Sequence, residues 1–223
     1  MKQGVKGVQE SGLKIGYTIG ENTSGKFQFV ISDDSNIKKW EYVYLKIHDE
    51  TVIGRIEEIV SKSELLNENM DFQSIDRYST NGLNDFVNIC ISTILGKIKN
   101  GFLMQSREIV KPGMPVYPAG DEILQQVFSF REEESLDIGS LPDNNVKVSL
   151  NVNGLRRHLA ILAQTGAGKS HTASVIMEEL LKKGASIIVL DPHADYVFFK
   201  CFSYHFFQCF YIFVHKIFIA FNG

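Results

Sequence analysis

The amino-acid sequence predicts a small β-barrel followed by the start of an α/β domain, and three observations support this. Residues 14–128 hold short segments with alternating apolar and polar side chains, separated by frequent turns. Beyond residue 145 the pattern changes to two nearly continuous apolar runs on either side of a helical segment. A glycine-rich loop joins the first of these runs to the helix.

The composition describes an ordinary, nearly neutral chain. Its 223 residues include 23 basic and 26 acidic ones, which gives a net charge of −3. This excludes a strongly basic nucleic-acid coat and an acidic disordered tail, but not a local basic channel. The three cysteines do not make a disulfide framework, and residues 1–11 lack the apolar core of a signal peptide. We therefore expect a cytoplasmic, reducing location.

The N-terminal half is predicted to consist of β-strands. Residues 26–32 alternate Phe27, Phe29 and Ile31 with polar neighbours, which is the period of a half-buried strand. Turn residues recur every 8–15 positions, which favours a small barrel or a sandwich. The predicted strands lie in 13–19, 26–32, 41–48 and 51–60, with a strand pair in 87–98.

Three segments are predicted to connect these elements. Residues 65–84 are polar and show no clear period, so we expect an inserted loop or a short helix there. Residues 111–118 hold three of the chain's five prolines and should be extended. The charged stretch 131–145 is predicted to be a linker between the two halves.

The second half is predicted to contain a strand–helix–strand unit. Apolar runs at 158–163 and 185–190 flank a helix over 168–183, and together they have the size of a βαβ crossover. The apolar face of that helix is predicted to hold Ala173, Ile176, Met177, Leu180 and Leu181.

The wet face and the end of this helix also follow from the sequence. Glu178 and Lys182, like Glu179 and Lys183, are four residues apart, so both pairs are expected to form ion pairs. Gly184 stands where a left-handed residue commonly ends a helix.

The loop before the helix matches a phosphate-binding pattern. Residues 163–170 read Ala-Gln-Thr-Gly-Ala-Gly-Lys-Ser, against the P-loop pattern G-x-x-x-x-G-K-[ST]. Only the first position differs, where Ala163 replaces glycine. That change matters little if Ala163 keeps an ordinary strand-end conformation.

The residue types of this loop suit a nucleoside triphosphate with Mg²⁺. Gly166 and Gly168 let the backbone N–H groups wrap around the phosphates, and the helix N-terminus adds partial positive charge. Lys169 would supply a full charge to the β and γ phosphates, and the hydroxyl of Ser170 could coordinate Mg²⁺. The sequence therefore predicts ATP and Mg²⁺ as ligands.

An aspartate follows the second strand of the unit. Ligands bind beyond the carboxyl ends of parallel strands, so Asp191 is predicted to lie on the same edge as the loop. It could bind Mg²⁺ or orient a water, although a turn or capping aspartate would look the same. His193 and Asp195 come shortly after, but two candidate ligands without a third make a weak metal site.

Several stretches of the sequence resemble one known family. The stretches HLAILAQTGAGKSHTASVIMEELLKKG and SIIVLDPHADY, with PGMPVYPAGDEIL ahead of them, resemble the archaeal HerA helicases. These are hexameric, ATP-dependent DNA translocases related to the FtsK motors. The resemblance covers about residues 14–199 and implies a HAS-barrel followed by the start of a RecA-like P-loop ATPase domain. Ala194 departs from the glycine that many members carry there.

The resemblance also implies an activity, partners and site residues. It implies ATP hydrolysis that drives double-stranded DNA through a homo-hexameric ring, in double-strand-break end processing with a NurA-like nuclease. Lys169 and Asp191 are the expected catalytic residues, and Ser170 and Asp191 the expected Mg²⁺ contacts. The expected nucleotide-binding residues are Gln164, Thr165, Gly166, Ala167, Gly168, Lys169, Ser170 and His171.

The expected domain limits are 1–130 for the barrel, 131–145 for the linker and 146–200 for the start of the ATPase domain. Residues 201–223 form an aromatic tail with seven Phe, two Tyr and no acidic residue. Its longest apolar run is short for a bilayer, so a membrane anchor is disfavoured. We expect the tail to be aberrant or, less readily, membrane-associated.

Whether this chain is itself an enzyme stays open at this stage. Family members continue beyond this point with a later catalytic acid and an arginine finger, so we expect the chain to bind nucleotide but to hydrolyse it poorly alone. Loss of an arginine finger costs roughly 10³–10⁵ in rate. Two alternatives remain: a barrel that acts only as an interaction module beside a vestigial P-loop, and another kind of P-loop motor ATPase.

Overall fold

A computed structural model describes residues 13–32, 35–66, 68–80, 85–142, 145–191 and 196, together with the backbone of 210–212. The chain divides into two compact units, Met1–Val127 and Phe128–Gly223. Each unit has buried apolar clusters of its own.

The first unit is a closed antiparallel barrel of six strands with a seventh strand added outside the ring. Around the ring the order is β1, β2, β5, β4, β3 and β7, and β7 pairs with β1 to close it. The barrel prediction is confirmed, and closure excludes an open sandwich. The strands are β1 (Gly16–Ile19), β2 (Lys26–Ile31), β3 (Tyr42–Ile47), β4 (Glu50–Lys62), β5 (Val87–Lys99), β6 (Phe102–Met104) and β7 (Pro115–Pro118).

The expected strand pair in 87–98 is wrong, because this segment is part of one long strand. β5 runs through Val87–Lys99, and its hairpin partner β6 begins only at Phe102. The turn between them is Asn100-Gly101, with φ angles of 53° and 78°. Two successive positive φ angles match the right-handed twist of a hairpin, and Asn-Gly is the dipeptide that adopts them most readily.

The barrel interior is filled by the alternating apolar residues of its strands. Phe27 and Phe29 of β2 and Val43 and Leu45 of β3 are at most 1% exposed. Gly54 of β4 makes room for this packing, since a Cβ at that position would lie 2.6 Å from Cε1 of Phe27. The buried position of Phe27 therefore requires a residue without a side chain at position 54.

Two helices belong to the first unit. Helix α1 (Phe72–Thr80) lies in the segment predicted as a loop or short helix, and none of its residues is buried. Helix α2 (Asp121–Phe128) packs Ile123 against Tyr44 and Ile53. A second apolar cluster therefore forms on the outer side of the barrel wall.

The second unit begins with a hairpin where the sequence predicted a linker. After a 3₁₀ turn at Glu132–Glu134, β8 (Ser135–Ser140) pairs antiparallel with β9 (Lys147–Asn151). Residues 131–145 therefore contain a strand rather than only a connection, because Leu136 is fully buried against the helix that follows later in the chain. The boundary between the two units accordingly falls at Val127/Phe128 instead of after residue 130.

The remaining elements of the second unit are two helices and two short strands. Helix α3 (Val152–Leu155) begins after Asn151, whose side chain accepts hydrogen bonds from the N–H groups of Asn153 and Gly154. Helix α4 (Lys169–Lys182) and strand β10 (Ile188–Leu190) match the predicted helix and second strand. Strand β11 (Phe210–Ile212), within the range of the aromatic tail, pairs parallel with β10.

The predicted strand at 158–163 is absent from the sheets of the described residues. Leu159 is 45% exposed and Leu162 is 89% exposed, and only Ile161 packs against the core of the unit. An apolar run becomes a parallel strand only when neighbouring strands pair with it. None of the described strands does so here.

The apolar face predicted for α4 is confirmed. Ile176, Met177 and Leu180 are buried, and Ala173 and Leu181 pack against the same cluster. The predicted glycine cap is confirmed too: Gly184 has a φ of +84°. Its N–H donates to the Leu181 carbonyl, and the N–H of the next residue donates to the Leu180 carbonyl, which is the Schellman arrangement.

The predicted ion pairs on α4 are wrong in their spacing. Lys182 pairs with Glu179, three residues earlier, rather than with Glu178. Lys183 instead donates from Nζ to the backbone carbonyl of Glu132, at 2.7 Å. The short 3₁₀ turn before β8 therefore offers Lys183 an acceptor that the helix sequence alone does not reveal.

The rest of the aromatic tail, like His193 and Asp195, lies outside the described residues. In the part of the chain that the structure describes, no helix combines the length and the hydropathy needed to span a bilayer.

Candidate functional site

The loop before α4 contains two glycines in the left-handed conformation. Gly166 has a φ of +80° and Gly168 a φ of +84°, both in the left-handed region that favours glycine. A Cβ added at either position would meet no atom within 4 Å. These glycines are therefore needed for the path of the backbone and not for close packing, and the space beside the loop is open.

The loop ends directly at the N-terminus of α4. Gly168 is the N-cap residue, and no side chain caps the first turn. The carbonyl of Gly168 accepts the first helical hydrogen bond from the N–H of Thr172, at 2.9 Å. The first N–H groups of α4 thus lie next to an exposed loop. They also lie at the positive end of the dipole of a 14-residue helix.

The residues that the sequence predicts to bind nucleotide lie in this loop and in the first turn of α4. Gln164, Thr165, Ala167 and His171 are exposed, as are the two glycines, while Lys169 and Ser170 are half-buried. The N–H of Ala167 donates to the Gln164 carbonyl at 3.2 Å, which closes the loop on itself. An anion approaching the helix N-terminus would meet backbone N–H groups.

Asp191 directly follows β10 and is buried. The residue is 2% exposed, and its Oδ2 accepts a hydrogen bond from the backbone N–H of Tyr196 at 2.9 Å. Tyr196 is itself 8% exposed and belongs to the core cluster of the second unit. The carboxylate therefore has a fixed position, set by the strand before it and by Tyr196 after it.

Helix α4 and strand β10 share one apolar cluster. Ile176 and Leu180 of α4 lie in it together with Ile187 and Val189. A strand that returns along the preceding helix ends near the N-terminus of that helix in βαβ units. That Asp191 and the glycine-rich loop share one end of the unit stays a prediction from this general geometry.

The described residues hold no cluster of three or more His, Cys, Asp and Glu side chains that could bind a metal ion by itself. Ser170 and Asp191 offer hard oxygen ligands, which are the ligands that Mg²⁺ prefers. Mg²⁺ commonly keeps most of its shell from water and from substrate phosphates and takes only one or two protein ligands. The donor set here fits a phosphate-bound Mg²⁺ and not an independent metal centre.

The hairpin that supports α4 is the part of the site's framework that sequence reasoning missed. Leu136 of β8 is fully buried in the cluster of α4, and Ile138 and Leu150 pack against that cluster. The signal was present, because Leu136 and Ile138 alternate with polar residues, and so do Val148 and Leu150. The charged residues and the proline of 131–145 favoured a linker and so outweighed this alternating pattern.

Two family models match the chain, one in each unit. A model described as the HAS barrel domain matches residues 15–100. A model described as helicase HerA, central domain, matches residues 136–215 and so extends into the aromatic tail. The class of protein defined by the fold is thus a β-barrel followed by the beginning of an α/β helicase domain.

Curated relatives agree with this class. A probable helicase of Methanocaldococcus jannaschii is 34% identical over 199 residues, which is 84% of this chain and 37% of that protein. The DNA double-strand break repair helicase HerA of Pyrococcus furiosus is 34% identical over 193 residues, which is 82% of this chain and 34% of the relative. An uncharacterized protein of Aquifex aeolicus is 24% identical over 216 residues and is matched over 80% of its length.

Over more than four fifths of its length the chain is thus similar to HerA helicases. It spans about a third of the length of the curated helicases that it matches, at 37% and 34% of the two named above.

Proposed function

We propose that this chain is the ATP-binding portion of a HerA-like DNA translocase that acts in double-strand-break end processing. The observation that carries the proposal is the glycine-rich loop, with Gly166 and Gly168 left-handed, opening onto the uncapped N-terminus of α4. This arrangement suits a polyphosphate because backbone N–H groups, the helix dipole and Lys169 all converge on one exposed turn.

Each site residue has a proposed role at this turn. Residues 164–171 would surround the phosphates, with Lys169 as the charge that stabilises the transferred phosphoryl group. Ser170 and Asp191 would hold Mg²⁺, directly or through its water shell, and a bound Mg²⁺ would neutralise charge on the phosphate oxygens. The buried position of Asp191, fixed by Tyr196, suits a carboxylate that must be held in place before nucleotide binds.

The partners proposed for this site come from the family. The relatives named as double-strand break repair helicases support double-stranded DNA as the substrate of the intact protein. We further propose a homo-hexameric ring, a NurA-like nuclease as partner and a cytoplasmic location. Efficient hydrolysis by this chain alone is not expected, because a transition state of phosphoryl transfer needs an arginine finger or an equivalent charge.

The dependence on Mg²⁺ tests the metal part of the proposal. Isothermal titration of the full chain with a non-hydrolysable ATP analogue is expected to show binding that weakens when EDTA removes Mg²⁺. Ser170→Ala should bind the analogue weakly with Mg²⁺ and should lose most of the difference between Mg²⁺ and EDTA. A Ser170→Ala chain with the unmodified Mg²⁺ dependence would exclude Ser170 as a metal contact.

A second candidate function is a barrel that acts as an interaction module beside a vestigial P-loop. The observation that favours it is the closure of the barrel, whose strands all lie within Met1–Val127. This candidate predicts that Lys169→Ala leaves binding of a NurA-like nuclease unchanged while ATP binding is absent even in the unmodified chain. The two measurements together separate it from the ATP-binding function.

A further inference from the structure

Tyr196 is linked both to the apolar core of the second unit and to the Asp191 carboxylate. It is 8% exposed and lies in the apolar cluster to which helix α4 contributes Ile176, Met177 and Leu180. Its backbone N–H donates to Oδ2 of Asp191 at 2.9 Å. The side chain of Tyr196 is thus packed in the same cluster as the helix that follows the glycine-rich loop, while its backbone holds the carboxylate.

The position of that N–H depends on how Tyr196 itself is held. Tyr196 belongs to none of the helices and strands of the described residues, so no ladder of helical or strand hydrogen bonds among them fixes its backbone. A side chain that is packed in a core has one arrangement among its neighbours and restricts the backbone to which it is bonded. The buried side chain of Tyr196 is therefore a contact that keeps its N–H directed at Asp191.

The orientation of a carboxylate matters at a magnesium site. Asp191 is 2% exposed, and a buried carboxylate needs hydrogen-bond donors to offset the loss of water. Mg²⁺ demands near-ideal octahedral geometry, and the groups that hydrogen-bond its protein ligands set the orientation of those ligands. A donor that is itself anchored in the core can hold Asp191 in one orientation before nucleotide and Mg²⁺ bind.

We propose that Tyr196 is a positioning residue for Asp191: its buried side chain anchors the backbone N–H that orients the carboxylate for Mg²⁺. This inference rests on the proposed function, in which Asp191 holds the Mg²⁺ of a bound nucleotide directly or through water. The contrasting role is purely structural, in which the hydrogen bond only ties Tyr196 to the end of β10. The two roles differ in what a change at Tyr196 does to the Mg²⁺ dependence of nucleotide binding.

The experiment measures the Mg²⁺ gain, which is the affinity of the full chain for a non-hydrolysable ATP analogue in Mg²⁺ divided by its affinity in EDTA. Titration calorimetry gives both affinities. Tyr196→Ala keeps the backbone N–H but removes its anchor, so the Mg²⁺ gain should fall about tenfold, as when a residue that orients a metal ligand is replaced. The affinity in EDTA should stay unchanged. Tyr196→Phe keeps a ring for the core and should retain the full Mg²⁺ gain.

A second variant removes only the hydrogen bond. The α-hydroxy analogue of tyrosine at position 196 replaces the backbone N–H by an ester oxygen and keeps the side chain in the core. This ester variant should lose the Mg²⁺ gain as Tyr196→Ala does, and it tests the proposal whether or not the alanine variant folds. The matched control is Leu136→Ala, which shortens a fully buried side chain of the same cluster. It should lower the denaturant midpoint and leave the Mg²⁺ gain unchanged.

Coupling between the two residues separates positioning from general destabilisation. Asp191→Ala should lower the Mg²⁺ gain, with the proposed contact of Ser170 remaining. Adding Tyr196→Ala to that variant should cause no further loss, because Tyr196 acts only through the Asp191 carboxylate. Additive losses in the double variant would assign Tyr196 a structural role and overturn the proposal.

Each other result contradicts the positioning role in a distinct way. An unchanged Mg²⁺ gain in Tyr196→Ala or in the ester variant would show that the hydrogen bond does not serve the metal. A loss in Tyr196→Phe as large as in Tyr196→Ala would assign the effect to the hydroxyl, and an equal loss in Leu136→Ala would assign it to destabilisation of the unit. Equal affinities of the unmodified chain in Mg²⁺ and in EDTA would exclude the metal site while the ATP site stands. Absence of any binding would refute the proposed function, and this inference with it.

Discussion

At the scale of single residues, the candidate site depends on backbone angles that only glycine adopts readily. Gly166 and Gly168 have φ angles of +80° and +84°, with open space where a Cβ would stand. Any cost of replacing them is therefore conformational, and it acts on the turn that presents the N–H groups. Asp191, in contrast, is fixed by its burial and by a hydrogen bond from the backbone N–H of Tyr196.

Gly166→Ala should weaken ATP binding about tenfold, since a left-handed conformation costs a residue with a Cβ about 1–2 kcal/mol. The control is Gly154→Ala, which replaces another exposed glycine of the same unit with equally open surroundings but without a positive φ. That variant should bind ATP normally. Equal affinities for the two variants, measured by titration calorimetry, would show that the left-handed turn is not needed for the nucleotide.

A second residue-scale prediction concerns Asp85, which ties together the ends of the segment between β4 and β5. Its carboxylate accepts hydrogen bonds from the Ser63 hydroxyl, the Tyr78 hydroxyl and the N–H groups of Glu64 and Leu65. These hydrogen bonds, that of Ser63 foremost, lower the pKa of Asp85 from 3.8 to about 2.

Because the pKa of Asp85 is lower in the folded chain, its contribution to stability is complete above about pH 4 and is lost as the pH falls towards about 2. Amide exchange at Glu64 and Leu65 should therefore become faster, relative to the rest of the barrel, over that interval. Asp85→Asn should show fast exchange at both amides already at pH 6. Slow exchange in that variant would mean that other contacts hold the segment.

At the scale of elements, the helices and strands marked by a local sequence pattern could be predicted. Those that form only by pairing with distant strands could not. Helix α4 was predicted because its apolar spacing and Gly184 lie within one short stretch. The strand expected at 158–163 needs neighbours that its sequence cannot specify, and β8 was hidden by the charges around it. The Asn100-Gly101 dipeptide is a local sequence signal for the end of β5, because Asn-Gly favours the turn of a β-hairpin.

The packing of β4 against β2 gives a prediction at this scale. A Cβ at Gly54 would lie 2.6 Å from Cε1 of Phe27, which is fully buried, so Gly54→Ala should destabilise the barrel by about 1–3 kcal/mol through overpacking. Gly25→Ala is the matched control because a Cβ there meets nothing within 4 Å. Urea unfolding should show a lower midpoint for the first variant only, and Phe27→Leu should restore part of the loss in the Gly54→Ala background.

At the scale of the whole molecule, the chain joins two units, a closed barrel and a unit that carries the candidate site. The barrel closes within Met1–Val127, and all its pairings are internal. The second unit holds the glycine-rich loop, α4 and a buried Asp191, in a region that matches part of the HerA central domain. The chain spans 37% and 34% of the two helicases compared above, so activities of the intact relatives rest on more sequence than is present here.

The candidate site itself was predicted from the sequence, because the P-loop pattern is local and is recognised by residue type and spacing. Gly166, Gly168 and Lys169 fall within four successive positions of the sequence and need no distant partner to be recognised. The hydrogen bond that holds the Asp191 carboxylate could not be predicted, because its donor is the backbone N–H of Tyr196, which the pattern of the strand does not include.

The measurement that tests the central claim most directly is equilibrium binding of a fluorescent ATP analogue, with Mg²⁺, to the full chain and to Lys169→Ala. The matched control is Lys182→Ala, at the other end of the same helix, where the lysine pairs with Glu179. We predict saturable binding by the unmodified chain and by Lys182→Ala, and a loss of at least tenfold in affinity for Lys169→Ala. Absence of binding by the unmodified chain, or equal affinity for Lys169→Ala, would contradict an ATP site at this loop.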